Sequence, residues 1–394
     1  MAARAHPNRF LNPNLAEFGT TIFAEMSALA ARTGAVNLGQ GFPDTDGPSE
    51  VSEAAIDAIR SGRNQYPPGP GIQPLREAIA RHRMRFRGQK FDADTEVLVT
   101  AGATEAIAAS LLSLCRSGDE VVTFEPYYDS YAASIAMAGA RRRVVTLNAP
   151  DYSFDPADLA AAFTPATRLL LLNSPHNPTG KVFSQAELET IARLCIRHDV
   201  LVVADEVYEH LVYDVDHIPI ATLPGMSERT VTISSAGKIF SFTGWKIGWA
   251  CGPADLITAV RTSKQFLTYV NGGPFQYGVA VGLDLPDSFF DEYTKTMRSK
   301  RDRLCGWLTD AGFEVIVPDG TYFVTVDIRS VGGVDGIDFC LALPERCGVV
   351  AVPTQVFYDD VEAGRHLVRF AFCKKDEVLD EAGRRLATLN TGGR

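Results

Sequence analysis

The sequence predicts an α/β protein: a large domain on a mostly parallel sheet with helices on both faces, joined to a smaller α+β domain. Three observations carry this. Short, continuous apolar runs end at polar or turn residues, as do strands buried on both faces of a parallel sheet. Those runs alternate with helical patterns between about 50 and 285, the order that builds layered α/β domains. After about 286 the texture changes to one charged helical stretch followed by strand patterns.

In chain order, EVLVT at 96–100 precedes the helix-like ATEAIAASLLSLC, and EVVTFEP at 120–126 precedes a helix running through Ile135. RLLLLNSP at 168–175, VLVVADE at 200–206 and TVTISSA at 230–236 are further buried strands. The charged stretch at 291–312 forms a helix. FEVIVPDGTYFVTVDI then reads as a hairpin around Pro318-Asp319-Gly320. A helix, a strand near VVAVP and another near HLVRFAF complete the chain. The expected large domain is 45–285, and the expected small domain combines 1–44 with 286–394.

Composition narrows the function. The chain has 394 residues, 46% hydrophobic and 22% charged, enough to bury a core without staples. A net charge of −10 argues against a broad nucleic-acid or anionic-membrane surface. Seven cysteines without a CxxC pair argue against a zinc ribbon or a secreted disulfide framework and favour a cytoplasmic protein. MAARAHPNRFLNPNLAEFG lacks the apolar core of a secretory signal, and no run approaches a membrane span.

Ligands of open parallel sheets bind beyond the carboxyl ends of the strands. Here those ends carry Gly102-Ala103-Thr104, Pro126-Tyr127-Tyr128, Asn173 to Gly180, Asp205 to Tyr208, and Ser234 to Lys238. Familiar phosphate motifs fail on spacing. Gly180-Lys181 and Gly237-Lys238 lack the upstream glycine of a P-loop, and no HExxH occurs. Leu38-Gly39-Gln40-Gly41 lacks the third glycine of a dinucleotide fingerprint, and no preceding strand is expected.

LGQGFPD, NQYPPGPGIQPLREAIA, NSPHNPTGK, ADEVYEHLVYD, SSAGKIFSFTGWKIGW and HLVRFAF occur in this order. Together they resemble the class I/II aminotransferases, fold-type-I enzymes that use pyridoxal 5′-phosphate (PLP). The resemblance runs from about Val36 to Arg369. It is strongest to the branch holding kynurenine and N-succinyldiaminopimelate aminotransferases. It implies a seven-stranded sheet and a homodimer with shared active sites. The substrates it implies are an amino acid and a 2-oxo acid.

The resemblance also assigns residues, and chemistry asks for most of them independently. Lys238 matches the lysine that forms the Schiff base and shuttles a proton; its plain alternative is a surface lysine opening a helix. Asp205 matches the carboxylate that keeps the pyridine nitrogen protonated; a helix N-cap is the alternative. Tyr208 and Asn177 match the pair on the cofactor's phenolic oxygen, and Tyr128 matches the aromatic that stacks on its ring. Ala103 and Thr104 open a helix where N–H groups favour an anion. Ser235 and Lys246 would add a hydroxyl and a cation for the phosphate. Many class I members carry arginine at the Lys246 position, whereas the kynurenine-type branch commonly has lysine. Tyr66 matches the tyrosine that reaches a neighbouring subunit's phosphate. Arg369 matches the arginine for the substrate α-carboxylate, and a solvent-facing strand arginine is its alternative. Gly41 would offer an N–H to the same carboxylate, and Phe23 would line the pocket. Tyr127 and Tyr131 read as core or edge residues. Asn173, His176 and Pro178 read as turn-shaping.

Two departures bear on the amino donor. Thr104 stands where the kynurenine-type pattern has an aromatic, and Asn271-Gly272-Gly273-Pro274 replaces an aromatic–His pair. A wider pocket suits a long polar donor, which favours N-succinyl-LL-2,6-diaminopimelate of lysine biosynthesis with 2-oxoglutarate as acceptor. Kynurenine, glutamine or methionine transamination, and a PLP carbon–sulfur β-lyase, share most of the same residues. A PLP-binding regulator of transcription is disfavoured by the acidic balance and the short stretch before Val36.

Overall fold

A computed structural model of the protein describes residues 10–392. The first nine residues of the segment read as lacking a secretory signal lie outside the described residues. The strands, in chain order, begin with β1 (Val36–Asn37), β2 (Val97–Thr100), β3 (Glu120–Glu125) and β4 (Arg141–Thr146). Next come β5 (Thr167–Asn173), β6 (Leu201–Asp205), β7 (Thr230–Ser235) and β8 (Gly248–Cys251). The remainder are β9 (Glu314–Ile316), β10 (Phe323–Asp327), β11 (Val349–Val350), β12 (Val352–Pro353) and β13 (Leu367–Ala371).

A seven-stranded sheet has the order β2-β8-β7-β6-β5-β3-β4. Its pairs from β7 through β4 are parallel, and β8 alone runs against both its neighbours. The alternation of side chains along each strand explains the layering. Val121, Leu169, Leu171, Val203 and Val231 pack on one face, with the helices Gly102–Leu114 and Asp129–Met137. Val122, Phe124, Leu170, Leu172 and Val202 pack on the other, against the helix Gln185–Arg197. Ser184 and Glu187 close a reciprocal cap at the start of that last helix. Both faces are covered over the central strands, so β3, β5, β6 and β7 are almost wholly buried.

Neither β4 nor β8 is among the strands read from the sequence. β4 is an edge strand whose arginines Arg141 and Arg143 face solvent, a charged edge that resists further pairing. β8 is four residues long and follows an irregular Lys-containing segment.

The C-terminal part carries an antiparallel sheet of order β12-β13-β10-β9. The predicted hairpin is β9–β10, with Pro318-Asp319-Gly320 in its connection. Its core joins Met26 and Leu29 of the helix Ile22–Thr33 to Leu304 and Leu308 of the helix Asp287–Asp310. The helix Ile22–Thr33 therefore packs with the C-terminal elements, while Phe18 before it packs against the large sheet's cluster. β1 pairs with β11 in parallel. This corrects one expectation, because a two-residue strand does precede Leu38-Gly39-Gln40-Gly41. The next helix opens only at Ser49, so the strand–turn–helix of a dinucleotide site is still missing.

Among the described residues, no helix is long and apolar enough to cross a membrane. All seven cysteines are buried and unpaired.

Candidate active site

The carboxyl ends of β5, β6 and β7 and the start of the helix Gly102–Leu114 converge on a cavity of about 240 Å³. β13, the head of β10 and the Gly39–Gly41 loop close it from the other side. Every predicted site residue lines this cavity except Tyr66.

Asp205 ends β6, buried where its neighbours are apolar. Its Oδ2 accepts from the Tyr131 hydroxyl at 2.6 Å and its Oδ1 from the Val207 N–H at 3.2 Å. No helix follows, which removes the N-cap alternative. Burial pushes its pKa up to about 6, against the pull of Tyr131, the Val207 N–H and Lys238. The segment after β6 has two sides. Asp205 and Tyr208 face the cavity, while Glu206 and Glu209 turn into the core, where Arg83 bonds them at 2.8 and 2.7 Å.

His82, Glu209 and His210 hold ligand-type atoms within 4.8 Å of one another. Arg83 and Arg87 already offset Glu206 and Glu209 there. A divalent cation would add charge that nothing balances.

Lys238 sits in a one-turn helix, Ala236–Ile239, directly after β7. Its Nζ donates to the Tyr322 hydroxyl at 2.9 Å and to the Gly41 carbonyl at 3.4 Å. Burial lowers its pKa to about 8; Cys373 and Asp205 oppose this, and Arg369 and Lys246 add to it. It is a cavity lysine, not a surface one.

Asn177 is held by its own N–H, which donates to Asn173 Oδ1 at 2.7 Å. Asn173 in turn donates to the Asp205 carbonyl at 2.9 Å. The turn-shaping reading of Asn173 is therefore right in kind, and the turn ties two strand ends together. His176 bonds Thr179 at 2.8 Å, and burial drives its pKa down to about 3. It does not line the cavity.

Arg369 is 1% exposed, which removes the solvent-facing alternative. Nη1 donates to Asn177 Oδ1 at 2.8 Å and Nη2 to the Gly39 carbonyl at 3.2 Å, while Nε has no partner among the described residues. The rings of Phe323, Phe23 and Phe357 surround it at 3.9, 5.2 and 5.6 Å. Among the described residues no carboxylate lies within ion-pair distance, and burial lowers its pKa to about 10. A buried guanidinium without a counter-ion is costly, and an incoming carboxylate would relieve that cost. Gly41 lies beside it. A side chain at Gly41 would strike the Phe323 ring at 2.5 Å.

At the other end, no side chain among the described residues caps the helix Gly102–Leu114, so its first N–H groups are free to face the cavity. Thr104 is exposed there and Ser235 is buried beside it. Lys246 adopts a left-handed backbone (φ 54°) that turns its ammonium toward Gly102. Asn271 Nδ2 holds this bend, donating to the Lys246 carbonyl at 3.0 Å and to the Thr100 carbonyl at 3.1 Å. Gly248 passes so close that a Cβ would lie 2.6 Å from the Gly102 carbonyl carbon.

Tyr128 lines the wall between these ends, edge-on to Tyr131 at 5.7 Å. Tyr127 is a core residue, as expected. Tyr131 is more than that, because its hydroxyl is the side-chain partner of Asp205. Its place one helical turn after Tyr128 was the available signal. Tyr322 and Asn271 were not singled out as site residues, and their contacts join segments far apart in sequence. Tyr66 lies outside the cavity, 80% exposed and edge-on to Tyr269 at 5.6 Å.

An uncapped helix start with a cation at one end, a buried carboxylate and a lysine in the middle, and an unpaired arginine at the other end suit a ligand of matching polarity. Such a ligand would be anionic at one end, cationic in the middle and would carry a carboxylate at the other end. Comparison with known proteins agrees. The family model for aminotransferase class I and II matches residues 33–386. A Mycobacterium tuberculosis protein described as a probable N-succinyldiaminopimelate aminotransferase is 54% identical over 387 residues, covering 95% of this chain and 97% of its own. The solved structure of N-succinyldiaminopimelate aminotransferase from M. tuberculosis superposes with a TM-score of 0.94, covering 96% of this chain and all of that one. The methionine aminotransferase of Escherichia coli is 40% identical, covering 95% and 97%.

Proposed function

Because the chain belongs to the class I and II aminotransferases, we propose that it uses PLP to move an α-amino group from N-succinyl-LL-2,6-diaminopimelate to 2-oxoglutarate, in lysine biosynthesis. One observation carries the reading. Lys238 and Asp205 face one cavity whose far wall is a buried arginine without a counter-ion.

The residues present fit the cofactor. The N–H groups at Ala103 and Thr104, the Ser235 hydroxyl and the Lys246 ammonium would hold its phosphate, aided by a Tyr66 from a second copy. Tyr128 would cover its ring, and Tyr208 with the Asn177 amide would hold its phenolic oxygen. Asp205 would keep the ring nitrogen protonated. When bound, PLP supplies an aldehyde that accepts the amino group and a ring that withdraws electrons. Lys238 supplies the ε-amine for attachment and, once freed, takes a proton from the substrate α-carbon and returns it. Arg369 and the Gly41 N–H orient the carboxylate, with Phe23 and Phe323 beside it. One cavity then serves donor and acceptor in turn, which is a ping-pong scheme.

The donor assignment is supported by the likeness to the probable N-succinyldiaminopimelate aminotransferase of M. tuberculosis and by the absence of an aromatic at Thr104 and Asn271. Methionine as donor is the second reading, favoured by the E. coli relative. A homodimer is supported by Tyr66, Phe266, Leu267 and Tyr269, exposed close together in the chain or in space. A division into 45–285 and the combined terminal segments is supported by the partition of strands between the sheets. Cytoplasmic placement is supported by seven unpaired thiols.

The test is a panel of amino donors with 2-oxoglutarate, followed by the visible spectral change of the cofactor. N-succinyldiaminopimelate should give the fastest half-reaction. A half-reaction with methionine or kynurenine but not with it overturns the donor assignment.

A further inference from the structure

We infer that Tyr322 is a further catalytic residue, whose phenolic oxygen holds the ε-amine of Lys238 so that the nitrogen lone pair faces the cavity. The inference rests on the reading of Lys238 as the amine that joins the cofactor. Tyr322 is fully buried at the head of β10, its ring edge-on to Tyr208 at 5.2 Å. Its oxygen lies 2.6 Å from the Gly41 carbonyl and 2.9 Å from Lys238 Nζ.

The hydrogen-bond inventory decides the roles. A carbonyl only accepts, so the phenolic proton is directed to Gly41 at 2.6 Å, and the same oxygen accepts from Lys238, with the Tyr208 hydroxyl as a further neighbour bonded to it. The other contact of Nζ, the Gly41 carbonyl at 3.4 Å, is also an acceptor. A neutral amine has two N–H groups and one lone pair. Both N–H groups are directed to acceptors, so the lone pair is the part left for the cavity. A proton taken there from a substrate carbon, which keeps the bonding pair, becomes the third N–H. Returning it restores the starting arrangement. Burial raises the phenol's own pKa well above its ordinary value, so the proton on Gly41 stays in place.

The groups around Nζ are Asp205 and Cys373, which favour the ammonium, Arg369 and Lys246, which oppose it, and the phenols Tyr208 and Tyr322. The Tyr293 hydroxyl donates to the Lys238 backbone carbonyl. Of the two contacts made by Nζ, Tyr322 is the closer, at 2.9 Å.

The experiment compares wild type with Tyr322→Phe in two ways. The first is the half-reaction with an amino donor. Its plateau rate should fall about tenfold or more while the KM stays within about twofold. The second needs no turnover. Cofactor-free chain is given PLP across a pH series, and the rate at which borohydride fixes it to residue 238 is read by peptide mass. Loss of an acceptor that steadies the ammonium should move the midpoint of that curve down by roughly half a pH unit. Unchanged plateau and midpoint overturn the inference. So does a rise in KM alone, which would confine Tyr322 to the Gly41 loop. If the Phe variant does not take up PLP, 3-fluorotyrosine placed at 322 keeps the shape and weakens the acceptor. It should shift the midpoint in the same direction, and no shift overturns the inference. Absence of fixation at residue 238 in the wild type instead overturns the underlying reading of Lys238.

Discussion

Asp205→Asn separates the cost of this site from its use. In the folded chain the Asp205 carboxyl has a pKa of about 6, against an ordinary 3.8, with burial as the leading cause. At about 1.4 kcal/mol per tenfold, ionising it in the fold costs on the order of 3 kcal/mol more than in water. Because the folded value is the higher one, the favourable contribution belongs to the protonated form. It is complete below about pH 3.8 and lost as pH rises through about 6. At pH 8 the cofactor-free wild type therefore carries the full penalty, and a neutral amide removes it. Asparagine can still accept from Tyr131 or the Val207 N–H, though not from both. The variant should thus be about 2–3 kcal/mol more stable at pH 8, with roughly half that gap at pH 5 and little left at pH 4. Urea midpoints of cofactor-free wild type and variant at these three pH values measure it. With PLP bound the order should reverse, since on the proposed reading the carboxylate would offset the cationic ring nitrogen. Turnover of the loaded variant should fall about 100-fold or more. Equal stability at pH 8, a gap independent of pH, or turnover within a few-fold of wild type would refute the reasoning.

Three further outcomes follow from the geometry. Arg369→Lys loses a two-pronged donor and should cost about 2 kcal/mol of carboxylate binding, a KM roughly 30-fold higher for the amino donor. An amine without an α-carboxylate should react as before, and an equal loss for both would remove the role given to Arg369. Gly248→Ala would put a methyl group 2.6 Å from the Gly102 carbonyl carbon and 2.8 Å from the Ala103 nitrogen. The start of the helix must move, so PLP affinity measured by equilibrium dialysis should weaken about tenfold or more; an unchanged affinity would show that the helix start does not hold the phosphate. Asn271→Ala removes both bonds that hold the Lys246 bend. It should cost about 1–2 kcal/mol, read as a lower Tm and a several-fold weaker PLP affinity; no change in either would mean that the left-handed Lys246 backbone needs no support.

Much of this protein is legible in its residues. A strand buried on both faces is built mainly of apolar and β-branched residues, so β3, β5, β6 and β7 stand out as short runs, and the polar residues just past them mark the cavity. Asp205, Asn177, Ser235 and Lys238 were found in that way, together with the motifs around them. β4 and β8 were not, because an arginine-rich edge and a four-residue segment satisfy no such pattern. The partners of the site residues were equally hidden. Tyr131 meets Asp205 across 74 positions, Tyr322 meets Lys238 across 84, and Asn177 meets Arg369 across 192. Local periodicity records whether a side chain must be buried. It holds nothing about which distant side chain shares that burial, and only the packing of the two sheets around one cavity supplies the hydrogen-bond directions and the desolvation that move Asp205, Lys238 and Arg369 from their ordinary pKa values.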